Sequence, residues 1–254
     1  MRHRHPAPRR GVALTLAAAV VAASALAAAD PVAAATPLHD CHVADTLTTY
    51  RTLGDWARSL LDMEYRLSST YAPSDLRSTA DAGLNGGYKV RSMVVADLAA
   101  MAAAAKAAGA RFSVQSAYRS YATQQSTFQY WVDLHGYERA LTESARAGHS
   151  EHQLGTTLDL RSYGGGAPWD VKDWATTKAG KWIAANAWKY GFVLSYPKGK
   201  SDITCYDYEP WHVRYVGKAR AAAIHGTGLT YREYLWAQQT TSPTPLRSGP
   251  RSRP

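Results

Sequence analysis

Cysteine is scarce in this chain, with Cys41 and Cys205 its two thiols among 254 residues. That number excludes a disulfide-dense scaffold and leaves room for at most one internal bridge. No internal repeat is visible, which excludes a solenoid or propeller. Apolar runs are also scarce. The one long run, Gly11 to Ala29, is dominated by alanine and lies at the amino terminus behind Arg2, Arg4, Arg9 and Arg10. Basic residues, then an apolar stretch, then small residues up to Ala35 form the pattern of an export signal, with cleavage expected after Ala35. An uncleaved anchor is the alternative, because the run approaches membrane-spanning length. A lipid attachment at Cys41 fits poorly, since Asp40 precedes it rather than a small residue.

Acidic residues are outnumbered 20 to 29 by lysine and arginine, giving a formal charge of +9. The excess is spread in a way that argues against a nucleic-acid surface. Residues 1–35 hold +3 of it and the tail from Ala237 another +3, which leaves +3 for the body and no basic block within it. A secreted or wall-associated protein with no nucleic-acid partner, expected to be a monomer, is consistent with this surface. In an exported chain the two cysteines are expected to bridge, pinning the amino-terminal segment beside the residues upstream of Glu209; two unrelated thiols are the alternative.

Hydrophobic spacing organises the rest. Leu47, Tyr50, Leu53, Trp56, Leu60 and Leu61 recur at three- and four-residue steps, which predicts an amphipathic helix within 44–67. The spacing thus gives a helical amino-terminal segment, 36–89, packed on a core of 90–236 and followed by a disordered basic tail, 237–254. Within the core, 90–108 is predicted helical with Gly109 as its stop, Phe112–Ser116 alternates as a strand does, and Ser120 is placed to cap a helix running to about Leu134. A shorter helix is expected over 138–147. Further strands are expected over 155–160, 192–196 and 206–215, and a helix over 178–190 ends at Gly191. Thr230 and Glu233 form a capping box. Helices and strands mix without regular alternation, so the expected fold is a single α+β domain with a small, mostly antiparallel central sheet flanked by helices.

Three segments carry chemistry. Ser150-Glu151-His152-Gln153-Leu154-Gly155-Thr156-Thr157-Leu158-Asp159 holds an imidazole and a carboxylate that can meet one ion if the chain turns at Gly155. By itself this pair is a weak signal, since isolated histidines are more often hydrogen-bonded than ligating. Glu209-Pro210-Trp211-His212 adds a second imidazole and a second carboxylate. A zinc hydrolase needs three protein ligands, an open fourth position for water, and a free carboxylate to take the water's proton. His152, Asp159 and His212 provide the three, and Glu209 is left as the base. In a regular strand Glu209 and His212 would face opposite ways, so Pro210 must break the strand if both are to reach the metal. The third segment, Ser116-Ala117-Tyr118-Arg119-Ser120, offers a guanidinium for a terminal carboxylate or a developing oxyanion. A surface or ion-paired arginine would look the same in sequence.

Taken together, Tyr118-Arg119-Ser120, the Ser150-to-Asp159 segment and Glu209-Pro210-Trp211-His212 resemble the VanY-type D-alanyl-D-alanine carboxypeptidases of the LAS group of metallopeptidases. The likeness runs through Trp182–Tyr190 and Gly191-Phe192-x-x-Ser195-Tyr196-Pro197, and so covers roughly 90–217. It implies one catalytic zinc on His152, Asp159 and His212, general base catalysis by Glu209, a substrate or oxyanion contact from Arg119, and further substrate contacts from Ser150 and Gln124. The implied substrates are peptidoglycan stem peptides. An L,D-carboxypeptidase or endopeptidase of the same group, or a noncatalytic wall-binding module, is the alternative. The sequence departs from the family pattern at Thr157, where alanine is usual, and at Cys205, where glycine is common.

Overall fold

Beyond Met1, the computed structural model describes residues 37–241. The expected export segment and the tail beyond Thr241 lie outside the described residues. In chain order the elements are β1 (Thr46–Leu47), β2 (Tyr65–Arg66), β3 (Leu76–Ser78), β4 (Lys89–Arg91), α1 (Ser92–Ala107), β5 (Phe112–Ser116), α2 (Tyr121–His135) and α3 (Tyr137–Glu143). They continue with β6 (Thr157–Ser162), α4 (Lys178–Asn186), β7 (Phe192–Leu194), α5 (Ser201–Thr204), β8 (His212–Tyr215), α6 (Lys218–Thr227) and α7 (Tyr231–Thr241). The fold is α+β, as expected. No helix among the described residues is long and apolar enough to cross a membrane.

A four-stranded antiparallel sheet, ordered β5-β6-β8-β7, forms the centre. Its inner positions are filled by Phe112, Val114, Leu158, Leu160, Phe192 and Val213, all 3% exposed or less. Helix α1 covers them. Val94, Leu98, Met101 and Ala105 recur at helical spacing and are all fully buried in the same core. Gly109 then leaves the helix at φ +68°, a left-handed position that favours glycine. Ser120 caps α2 as predicted, its hydroxyl accepting from Thr123 N at 3.1 Å. Helix α4 starts at Thr177, whose hydroxyl accepts from Gly180 N at 3.0 Å. A Cβ on Gly180 would lie 2.2 Å from the Trp174 carbonyl oxygen, so the helix seats this closely only because that side chain is absent.

The amino-terminal segment does not form the helix that its spacing predicts. Over 44–67 the chain is extended or turned, with β1 and β2 pairing in parallel and one short 3-10 turn at Leu53–Asp55. Leu47 and Leu53 are exposed while Leu60 and Leu61 are buried, so the apolar spacing does not describe one face. Thr48, Thr49, Thr52 and Gly54 are poor helix formers, and tertiary bonds settle the matter. Arg146 donates to the carbonyls of Ala44 and Met63, His149 Nδ1 bonds the Asp62 carbonyl at 2.7 Å, and Arg232 pairs with buried Asp62 at 2.8 Å. His149 is thus a buried strut of this segment. Cys41 and Cys205 are disulfide-bonded, as expected, and close a separation of 164 residues.

Smaller differences follow from local geometry. Only His212–Tyr215 of the predicted 206–215 strand is extended in the sheet, because residues 205–211 pass through bends and a turn, several of them lining the cleft. Residues 201–204 form a helical turn that ends on Cys205 at φ +70°. That left-handed backbone explains why glycine is common there in the family pattern: here a cysteine adopts it and the disulfide holds it. Helix α7 reaches Thr241 and so takes in the first residues of the expected tail.

Candidate metal centre

Strand register brings two of the three predicted ligands together. Asp159 on β6 lies directly opposite His212, the first residue of β8. His152 arrives from the other side, on a 3-10 turn over Glu151–Leu154 that Ser150 caps and Gly155 ends at φ +73°. The turn at Gly155 that the sequence required is therefore present. A Cβ there would also meet Arg91 Cγ at 2.9 Å. The ligand atoms of His152, Asp159 and His212 all lie within 4.8 Å of one another, and all three residues are buried.

Ring orientation is fixed from behind. His152 Nδ1 lies 2.7 Å from the Ala117 carbonyl, which can only accept, so this nitrogen carries the proton and Nε2 is bare. That Nε2 is buried, forms no hydrogen bond, and stands 3.2 Å from Asp159 Oδ2. His212 is held the opposite way round. Its Nε2 donates to Glu151 Oε2 at 2.9 Å, which turns Nδ1 toward Asp159 Oδ1 at 3.2 Å. Against burial, which would lower it, the carboxylates of Asp159, Glu151 and Glu209 raise the His212 pKa well above the ordinary imidazole value, so the pocket favours a positive charge at this point. Two imidazole nitrogens and a carboxylate converging there fit a zinc ion.

Glu209 reaches the same point. Glu209-Pro210-Trp211 is a turn rather than strand, closed by His212 N donating to the Glu209 carbonyl at 3.1 Å. Proline supplies the break that was required, and Glu209 Oε2 sits 3.3 Å from His212 Nδ1. Burial raises the Glu209 pKa above the ordinary carboxylate value, partly offset by the His212 hydrogen bond, and the nearby Asp159 charge adds to the rise. A carboxylate of raised basicity beside three candidate ligands is suited to proton transfer. Burial and the Arg119 charge lower His152 to about 4, so its imidazole is neutral at ordinary pH.

Three residues of this network are absent from the sequence expectations. Glu151 is 4% exposed and accepts from Ser195 Oγ at 2.6 Å, His212 Nε2 at 2.9 Å and Arg214 Nη1 at 2.7 Å. Arg214 is fully buried, and its second nitrogen donates to the carbonyls of Trp56 and Ser59. Burial alone would raise Glu151, but Arg214, His212 and Ser195 together lower it to about 2. One signal was available: Arg214 follows His212 by two positions in a strand and so shares its face.

The predicted substrate residues divide. Arg119 lines the cleft, donates to Ser116 Oγ at 3.1 Å, approaches Asp159 Oδ2 at 3.8 Å and leaves a buried Nε unpartnered. Ser150 lines the cleft as well, while capping the His152 turn at 3.3 Å. Gln124 does not fit a substrate contact. It is fully buried, outside the cleft lining, and donates to the Ala145 carbonyl at 2.6 Å, which makes it a support for the wall. The cleft has a volume of about 670 Å³. Its rim carries Trp131, Trp169 and Trp211, with ring centroids 6.5 and 6.2 Å apart in edge-to-face sequence, whereas Trp174 is core.

A family model described as VanY D-alanyl-D-alanine carboxypeptidase matches residues 87–218, which hold every residue of this centre. The chain belongs to the VanY family. The YodJ protein of Bacillus subtilis strain 168 is 40% identical over 182 residues, 70% of this chain and 66% of that protein. The match therefore spans just under two thirds of that relative's length. Among solved structures, the LdcB LD-carboxypeptidase aligns with a TM-score of 0.64 and 34% identity, covering 74% of this chain and 93% of that one. A variant of the D,D-pentapeptidase VanY in complex with Zn(II) aligns with a TM-score of 0.60 and 28% identity, covering 71% and 99%. VanY membership thus joins this α+β fold to a family of carboxypeptidases, one of whose solved members holds zinc.

Proposed function

We infer that this chain is an exported zinc carboxypeptidase that releases the terminal D-alanine of peptidoglycan stem peptides. The observation that carries this reading is the convergence of His152 Nε2, His212 Nδ1 and Asp159 at the floor of an open cleft, with Glu209 beside them. Bound there, zinc would activate a water and polarise the scissile carbonyl. Glu209 takes the proton of that water and returns it to the leaving amine, its raised pKa suiting both transfers. Arg119, whose side chain lines the cleft, pairs with the substrate's terminal carboxylate or steadies the developing oxyanion. Ser150 offers a hydroxyl to the peptide, and Glu151 keeps His212 in the tautomer whose Nδ1 faces inward.

A second reading, removal of the next residue from a tetrapeptide stem, is favoured by the likeness to the LdcB LD-carboxypeptidase. Mass analysis of products from synthetic pentapeptide and tetrapeptide stems separates the two. Loss of one D-alanine from the pentapeptide, with the tetrapeptide untouched, is the expected result. Cleavage of the tetrapeptide alone would replace it with the second reading, and no cleavage of either would defeat both.

A further inference from the structure

A second group of ligating side chains lies outside the cleft. His39, His42 and Glu64 meet where the amino-terminal segment runs along β2, and their ligand atoms lie within 4.8 Å of one another. Both imidazoles turn Nδ1 toward one acceptor, the Asp40 carbonyl oxygen, at 3.0 Å from His39 and 3.2 Å from His42. A carbonyl oxygen only accepts, so each Nδ1 donates and each ring turns its Nε2 the other way. Those two nitrogens face Glu64 Oε2 at 3.3 and 3.2 Å. One carboxylate oxygen and two imidazole nitrogens turned toward it offer three donor atoms to a single cation. His39 Nε2 is buried and without a hydrogen-bond partner.

The spacing suits a cation of the zinc class. Two donors each about 2.0–2.1 Å from a tetrahedral zinc stand roughly 3.3 Å apart. The His-to-carboxylate distances in the cleft, 3.2 Å on both sides of Asp159, are the same within a tenth. The His39 ring is held edge-on against Tyr65 and Trp236, at 5.6 and 4.8 Å between centroids, so its direction is set by packing. Arg232 Nη2 approaches His39 Nδ1 at 3.4 Å, a longer contact than the one to Asp40 and with the bulk of that guanidinium committed to Asp62 and to the His39 and Ile203 carbonyls.

We propose that His39, His42 and Glu64 form a second divalent-metal site of the zinc class, structural in role, that clamps the amino-terminal segment to β2 beside the Cys41–Cys205 bridge. Two imidazoles and one carboxylate suit zinc, and the side chain of His42, 55% exposed, leaves the remaining position to water. The site shares no residue with the cleft, so it does not depend on the function proposed above.

The test is zinc stoichiometry by equilibrium dialysis against Zn2+ and elemental analysis, on the disulfide-intact protein. Wild type is expected to hold two ions per chain. His42→Ala and, separately, Glu64→Gln are each expected to lose one while peptide hydrolysis is unchanged. In a His152→Ala/His212→Ala variant one ion should remain, Zn2+ should raise the Tm, and adding His42→Ala should abolish both effects. Zinc content identical in wild type, His42→Ala and Glu64→Gln would overturn the proposal, whatever the cleft binds. Should the double variant fail to fold, the single substitutions still decide, because His42 is exposed and removing it leaves the core intact.

Discussion

Replacing Glu151 by Gln tests the buried network behind the metal centre. Glutamine keeps the shape and can still accept hydrogen bonds, but it removes the charge that balances Arg214. That guanidinium is fully buried, and its other acceptors, the carbonyls of Trp56 and Ser59, are neutral. Leaving a buried charge without its partner costs about 3–5 kcal/mol. The pKa gives a similar figure, since a fall from 4.5 to about 2 corresponds to roughly 3 kcal/mol of preference for the charged form. Glu151 is lower in the folded than in the unfolded chain, so its contribution is complete above about pH 4.5 and is lost progressively as pH falls toward 2. Urea unfolding at pH 7 should therefore show Glu151→Gln destabilised by about 3 kcal/mol or more, with a flatter acid dependence than wild type. Glu151→Gln/Arg214→Met should recover part of the loss, because the stranded charge is gone. Zinc affinity should also fall by about 10–100-fold, since Glu151 no longer fixes the His212 tautomer as firmly. A single variant within about 1 kcal/mol of wild type at pH 7 would refute the reasoning.

Glu209→Gln should retain zinc while kcat falls by about 100-fold or more, read by parallel elemental analysis and product release. Arg119→Ala should weaken hydrolysis of stems with a free terminal carboxylate far more than of amidated ones, a ratio measurable from kcat/KM on the two substrates. Gly180→Ala sets a methyl group against the Trp174 carbonyl oxygen, 2.2 Å away before relaxation, and should cost about 1–3 kcal/mol or more in urea unfolding. Cys41→Ser/Cys205→Ser opens a loop closed across 164 residues and should cost about 2–5 kcal/mol, with a matching fall in the thermal midpoint.

Much of this protein is local enough to be written in the sequence. The stripe on α1, the Ser120 cap, the stop at Gly109 and the break at Pro210 each depend on residues a few positions apart, whose geometry the backbone fixes without distant help. The candidate ligand set was suggested for a related reason: the chemistry of a zinc hydrolase demands two imidazoles, a carboxylate and a spare acid, and His152, Asp159, His212 and Glu209 come together in an arrangement that fits that demand. Residues 44–67 were misread because helical spacing there arose by coincidence, while the conformation is imposed by Arg146, His149 and Arg232 from 80 residues or more away. The roles of Glu151 and Ser195 were hidden for the same reason, and that of Arg214 was hinted at only by its strand spacing to His212. A buried charge is tolerable only when its partners are in place, and here those partners lie 44 and 63 positions distant along the chain. The turn geometry and the reactive groups thus follow from neighbours in sequence, whereas the direction each imidazole faces is decided by hydrogen bonds that exist only after the sheet has closed.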